Sequence, residues 1–221
     1  IDTVTIHPDA RADFSPTDTI GCAPLTLDST LINVTQYPFA NDTYSWTILD
    51  SDSATVLSTF SGTGFTDYTI SADADTVYVR LITSNNYGCK NDTLTQIFTT
   101  IQDPVADFTL SDTTGCGNTQ ITLTDATNPT GLALLWNFGD GDTSTANNPS
   151  HLFTNTSNTQ DSSYSITLIV TAGTGCSDTI VKQFEAFANP LAIFGAAEVC
   201  EYKITQFTDS SLAGGVSLVT W

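Results

Sequence analysis

The chain has 221 residues, 40% apolar and 10% aromatic, with 24 acidic residues against 5 basic ones and a formal net charge of −19. That apolar content builds a globular core and excludes a disordered chain. A surface so acidic repels nucleic acid and anionic membranes, which excludes both as partners, and it suits divalent cations or solubility at high salt or on a cell surface.

In chain order, the opening IDTVTIHPDA has neither a basic leader nor an apolar stretch. It is no signal peptide and reads as the interior of a longer chain, with residues 1–10 as the last strand of a preceding repeat. No apolar run approaches the ~18 residues of a membrane span. The segment ADFSPTDTIGCAPLTL (12–27) follows, and it recurs as ADFTLSDTTGCGNTQITL (106–123) and more loosely as LAIFGAAEVCEYKITQF (191–207). NNYGCKNDTL (85–94) recurs as AGTGCSDTI, and Trp46, Trp136 and Trp221 fall at matching places, giving a period of about 90 residues. That is the size of a small sandwich domain, not of a solenoid unit. The expected organisation is therefore residues 1–10 from a preceding repeat, repeat one over 11–103, repeat two over 104–188, and the truncated start of repeat three over 189–221.

Within each repeat the apolar period is two. Tyr44, Trp46 and Ile48, then Val77, Val79 and Leu81, alternate with polar residues in repeat one. Ile121 and Leu123, then Leu134, Trp136 and Phe138, then Tyr164, Ile166, Leu168 and Val170 do so in repeat two. Alternation predicts strands with one wet face, and Thr suits that face because its branched Cβ fits a pleated surface. No helix is predicted. Short strands punctuated by Gly, Asn, Asp and Pro predict an all-β chain of tandem antiparallel sandwiches. The boundaries IQDPVADF and FANPLAIF each carry a Pro, so the linkers are expected to be short and stiff, with neighbours stacked end to end.

The stretch WNFGDGDTS (136–144) starts as a buried strand and ends in a turn crowded with carboxylates. Trp136-Asn137-Phe138-Gly139-Asp140-Gly141-Asp142, then Asn148-Pro149-Ser150-His151-Leu152-Phe153, then Tyr164-Ser165-Ile166-Thr167-Leu168 resemble the pattern of PKD (polycystic kidney disease) domains. The resemblance covers the whole of repeat two and implies an immunoglobulin-like sandwich of an extracellular protein. Repeat one keeps Trp46 but reads WTILDSDSATVLSTF where the Gly-Asp-Gly turn would stand, and repeat three stops at Trp221. A structural reading of the turn puts Trp136 and Phe138 in the core, positive φ at Gly139 and Gly141, and Asp140 accepting backbone N–H bonds, and the resemblance implies that His151 packs near the Trp. The resemblance also admits Ca²⁺ at Asp140 and Asp142, although Ca²⁺ takes about six or more ligands and the sequence offers two here. A catalytic carboxylate pair is disfavoured, because the sister repeat lacks it. His7 and His151 have no nucleophile in pattern, and GTGFTD (62–67) and AGGVS (213–217) lack the Lys of a phosphate loop. The chain is not expected to be an enzyme, and no cofactor is expected other than that Ca²⁺.

Five cysteines, Cys22, Cys89, Cys116, Cys176 and Cys200, have no metal-type spacing and point to structural disulfides in an oxidising compartment. The Gly-Cys pairs at Cys22/Cys89 and Cys116/Cys176 resemble those in PKD arrays of Bacteroidota surface proteins, including gliding-motility adhesins exported by type IX secretion. Two pairings stay open. One is within each repeat, Cys22–Cys89 and Cys116–Cys176. The other joins successive repeats through Cys22–Cys176, with Cys116, Cys89 and Cys200 reaching cysteines outside this sequence. In an immunoglobulin-like sandwich the two cysteines of one repeat lie at opposite ends of a strand, beyond the ~7 Å reach of a disulfide, which leans toward the second pairing. Asp-Ser/Thr-apolar tripeptides at Thr3, Thr19, Thr43, Ser53, Thr76, Thr93 and Thr179 resemble the O-glycosylation motif of Bacteroidota exported proteins, though a Thr-rich sandwich produces such tripeptides anyway. Asn155-Thr156-Ser157 is one of several N-glycosylation sequons.

These readings converge on a structural segment of an extracellular cell-surface adhesin, stalk or filament. Its partners would be neighbouring repeats, identical chains, or surface ligands such as polysaccharide or protein. The alternative is a carbohydrate- or protein-binding accessory module of a secreted hydrolase or protease, which would present an exposed aromatic strip.

Overall fold

The computed structural model describes residues 9–28, 32–33, 42–62, 64–73 and 75–212. The expectations placed on Thr3, His7 and Trp221, and on a strand within residues 1–8, lie outside the described residues. The chain forms two compact units, one of Ile1–Asp103 with Thr174–Cys176 and one of Pro104–Gly173 with Ser177–Trp221.

Unit one contains β1 (Ser15–Pro16), β2 (Ile20–Cys22), β3 (Leu25–Leu27), β4 (Ile32–Asn33), β5 (Asp42–Leu49), β6 (Val56–Ser61), β7 (Tyr68–Ile70), β8 (Thr76–Asn85) and β9 (Asp92–Ile101). One sheet has the order β2-β9-β8-β5-β6, and β3 pairs with β7 to form the layer opposite. Inward residues follow the period of two: Val77, Val79 and Leu81 are buried, while Tyr78, Arg80 and Ile82 between them are only half-buried. Trp46 is 0% exposed at the centre, with Phe14 and Phe65 edge-on to its ring at 5.3 and 5.2 Å. Fully burying such side chains stabilises the sandwich by about 1.5–3 kcal/mol each.

Unit two contains β10 (Phe108–Leu110), β11 (Thr114–Cys116), β12 (Thr119–Asp125), β13 (Ala133–Asn137), β14 (Thr143–Ser144), β15 (Ser150–Phe153), β16 (Ser162–Thr171) and β17 (Ser177–Phe187), then β18 (Phe194–Ala196) and β19 (Phe207–Asp209). The sheets β11-β17-β16-β13-β14 and β10-β12-β15 enclose a core of Phe108, Leu123, Trp136, Phe153, Leu168 and Phe184. Tyr164, near the start of β16, donates its hydroxyl to the Thr154 carbonyl at 2.6 Å, the tyrosine corner of immunoglobulin-like sandwiches.

In both units the opening strand is split. The later piece crosses to the edge of the large sheet and runs parallel to the last strand, with Cys22 opposite Ile101 and Cys116 opposite Phe187. The remaining named pairings are antiparallel. The fold is thus all-β and immunoglobulin-like, with no helix among the described residues.

Candidate functional site

The turn after β13 is built from Gly and Asp for conformational reasons. Gly139 has φ 85° and Gly141 φ 107°, a region that L side chains rarely adopt. A Cβ on Gly139 would also lie 2.7 Å from the Ser165 carbonyl oxygen, so the backbone of β16 passes where a side chain would start. The Gly139 N–H donates to Asn137 Oδ1 at 2.9 Å, and the Phe138 N–H to the Asp142 carbonyl at 3.1 Å.

Asp140 is the hub. Its Oδ1 accepts the Asp142 N–H at 3.1 Å, and its Oδ2 lies 2.6 Å from His151 Nε2. Burial pushes the Asp140 carboxyl up, but the hydrogen bonds from His151 and the Asp142 amide outweigh it and hold the group below the usual carboxylate range. His151 in turn stacks flat on Phe138, with centroids 4.0 Å apart at 6°, and meets Phe153 edge-on at 4.7 Å. The Trp136 indole N–H donates to the Ala146 carbonyl at 2.8 Å. The histidine therefore packs on Phe138, the next aromatic along, and locks the turn to the core.

Donor atoms of Asp140, Asp142 and His151 lie within 4.8 Å of one another. Ca²⁺ takes six to eight oxygens, and this group offers two carboxylates and a nitrogen, with both Asp140 oxygens already accepting hydrogen bonds. The residues present do not fit Ca²⁺. Repeat one turns the same corner with different chemistry: Asp52 Oδ1 accepts the Ala54 and Thr55 N–H groups at 2.8 and 2.7 Å, and Ser53 takes φ 56°.

A disulfide joins Cys22 to Cys176, with Cα atoms 5.6 Å apart and a separation of 154 in sequence. The pairings Cys22–Cys89 and Cys116–Cys176 do not form, and register explains why. Cys22 faces Ile101 at the end of β9, whereas Cys89 precedes Asp92 at its start. A ten-residue strand rises ~33 Å, far beyond disulfide reach. Cys116 and Cys176 stand in the same relation across β17. Cys116 and Cys200 are exposed free thiols, and Cys89 is half-buried.

Residues that sequence reasoning passed over also contribute. A carboxylate oxygen of Asp103 lies within 4.8 Å of both disulfide sulfurs, and Asp103 Oδ1 is buried without a hydrogen-bond partner among the described residues. Asp92 and Asp178, the acids of two Asp-Thr-apolar tripeptides, accept the N–H of Ala12 at 3.0 Å and of Ala106 at 2.7 Å. Each pins the opening strand of its repeat. Of the proposed O-glycosylation positions, Thr43, Ser53, Thr93 and Thr179 are exposed, and Thr19 and Thr76 are half-buried. Thr43 already shares a 2.6 Å hydrogen bond with the Ser84 hydroxyl. Asn155 is 3% exposed, and its amide nitrogen donates to the Gln160 and Ala186 carbonyls at 2.9 and 2.8 Å, so this sequon is closed to a glycan.

The class defined by the paired sheets, the central Trp and the tyrosine corner is the immunoglobulin-like β-sandwich. Within it, residues 101–186 match the model of the PKD domain family. Among solved structures, the chain is similar to the amphioxus IgVJ-C2 molecule at 12% identity, over 74% of this chain and 98% of that one, with TM-score 0.34. It is also similar to the fibronectin(III)-like modules of Clostridium thermocellum CbhA, at 11% identity over 81% and 94% of the two chains, with TM-score 0.39. No curated protein matches the chain.

Proposed function

We propose that this chain is a structural, non-enzymatic segment of a longer extracellular surface protein: tandem PKD-like sandwiches that span distance and bear load in a stalk, adhesin or filament. The observation that carries the reading is the Cys22–Cys176 disulfide, which ties the opening strand of repeat one to the last hairpin of repeat two. A bond of that kind stabilises the fold of any module, and as a cross-link between successive repeats it also holds the chain together under tension. Disulfides persist in oxidising compartments, which accords with an extracellular location. The burial of Trp46 and Trp136, both 0% exposed, removes them from any polysaccharide-binding strip and weighs against the accessory-module reading. By the same rule of register, Cys116 takes a cysteine of the following repeat and Cys89 one of the preceding repeat. The Gly-Cys resemblance further suggests a gliding-motility adhesin exported by type IX secretion and O-glycosylated at exposed Asp-Thr sites such as Thr93 and Thr179.

The test is protease shaving of intact source cells followed by non-reducing peptide mapping. Release of a Cys22–Cys176 linked peptide, with glycan mass on some Thr93 or Thr179 peptides, is the expected result. Recovery of the chain only from the cytosol, with both thiols reduced, would overturn the reading.

A further inference from the structure

After unit two's last long strand the chain repeats a register already seen. In the first sheet hairpin of unit two, Phe108 pairs with Asp125, Thr109 with Thr124 and Leu110 with Leu123, and an isolated bridge joins Val105 to Asn128. In β18 and β19, Phe194 pairs with Asp209, Gly195 with Thr208 and Ala196 with Phe207, and an isolated bridge joins Leu191 to Leu212. The two hairpins correspond pair for pair, down to the Asp opposite the Phe.

Their apolar faces have opposite fates. Phe108 and Leu123 are 0% exposed, with Trp136 edge-on to Phe108 at 5.1 Å. Their counterparts Phe194 and Phe207 are 65% and 70% exposed, and Tyr202 and Ile204 nearby are 95% and 84% exposed. A two-stranded hairpin is marginal in water by itself, and a contiguous apolar face of this kind marks an interaction surface.

We propose that residues 191–212 are the opening hairpin of a third sandwich, and that their apolar face is covered by a sheet supplied by the same chain beyond Trp221. The proposal rests on the tandem-repeat reading above and specifies its next unit. The register says what the covering layer is: the equivalent of the sheet β11-β17-β16-β13-β14, which lays Trp136 on Phe108 in unit two. In sequence, Trp221 follows Cys200 at nearly the interval that separates Trp136 from Cys116. A second folded copy has no such sheet to give, because its own Trp136 already lies buried against its own Phe108.

The experiment is amide hydrogen exchange by mass spectrometry on the 221-residue chain and on the full-length protein purified from its source. In the full-length protein, peptides within 191–212 are expected to exchange about 100-fold or more slower than in the 221-residue chain, approaching the protection of β10 and β12. Phe194→Asp in the full-length protein should abolish that protection and leave β10 and β12 unchanged. Equal, fast exchange in both proteins would overturn the proposal. So would protection of the 221-residue chain that rises with its concentration, because a second copy would then be the occupant. Surface shaving reads the parent proposal separately: a surface-exposed protein with an unprotected 191–212 segment refutes only the third sandwich.

Discussion

Reducing the Cys22–Cys176 bond should change how far the chain extends under force. A polypeptide reaches at most about 3.3–3.6 Å per residue when stretched. Pulled by its ends with the disulfide intact, the chain cannot release the 154-residue separation that the bond encloses, roughly 510–550 Å of contour. Only the segments outside the bond can straighten, so the oxidised chain should stop at about a third of the length of the reduced one. In the chain-entropy picture, closing a loop of that size also removes about 5 kcal/mol of unfolded-state freedom. The assay is single-molecule force spectroscopy with handles at both termini, in buffer with and without reductant, and with Cys22→Ala as a reductant-independent control. An oxidised contour equal to that of Cys22→Ala would refute both the bond and the load-bearing role built on it.

Other predictions follow from single contacts. Gly139→Ala should destabilise unit two by about 2 kcal/mol more than Gly141→Ala: both lose a positive φ at about 1–3 kcal/mol, but only the first drives a Cβ into the Ser165 backbone. Exchange protection in β16 reads the difference, and equal losses would disprove the close approach. The depressed Asp140 carboxyl contributes stability that is present above its unfolded pKa and lost as pH falls through its lower folded value. His151→Phe keeps the stack but removes the hydrogen bond that lowers the group, so acid unfolding of unit two should begin at higher pH, and an unmoved acid limb would show the bond to be incidental. Asp103→Asn should speed reduction of the disulfide. An anionic thiolate approaching within ~5 Å of that carboxylate meets about 1–3 kcal/mol of repulsion, so an anionic thiol should gain far more than cationic cysteamine, whereas equal gains would rule out electrostatic protection. Tyr164→Phe removes the 2.6 Å bond to the Thr154 carbonyl and should cost about 1 kcal/mol in urea unfolding.

Much of the fold was legible because a sandwich strand writes its burial into every second residue. Val77, Val79 and Leu81 alternate outright, and the two central tryptophans stand where the repeat period puts them. Positive φ at Gly139 and Gly141 was legible for the same reason, since few residues other than Gly hold such a turn. The parallel edge formed by β2 and β11 was not, because three residues of Ile-Gly-Cys or Thr-Gly-Cys carry no sign of which neighbour they hydrogen-bond. Nor could local pattern show Asp103 beside a disulfide whose second sulfur lies in a distant turn. The roles of Asp92 and Asp178 were hidden by their context: an Asp before a Thr reads as a turn or a glycosylation motif, and only the folded chain shows each pinning the backbone about 75 positions away.

The two repeats turn the corner after the central Trp strand with different chemistry. Repeat two closes its corner with two positive-φ glycines and a carboxylate bridged to a histidine. Repeat one closes the corresponding corner with an Asp52 side chain capping two amides and a Ser in the left-handed region. The central Trp is fully buried in both. Two chemically different turns thus deliver the same buried strand to the same core. Both oxygens of Asp140 accept hydrogen bonds that hold the turn. The Gly-Cys edge recurs in both repeats, bonded at Cys22 and exposed at Cys116. In the proposed load-bearing role, the Cys22–Cys176 bond carries the tie between repeats, while the Asp140–His151 contact holds a turn of repeat two.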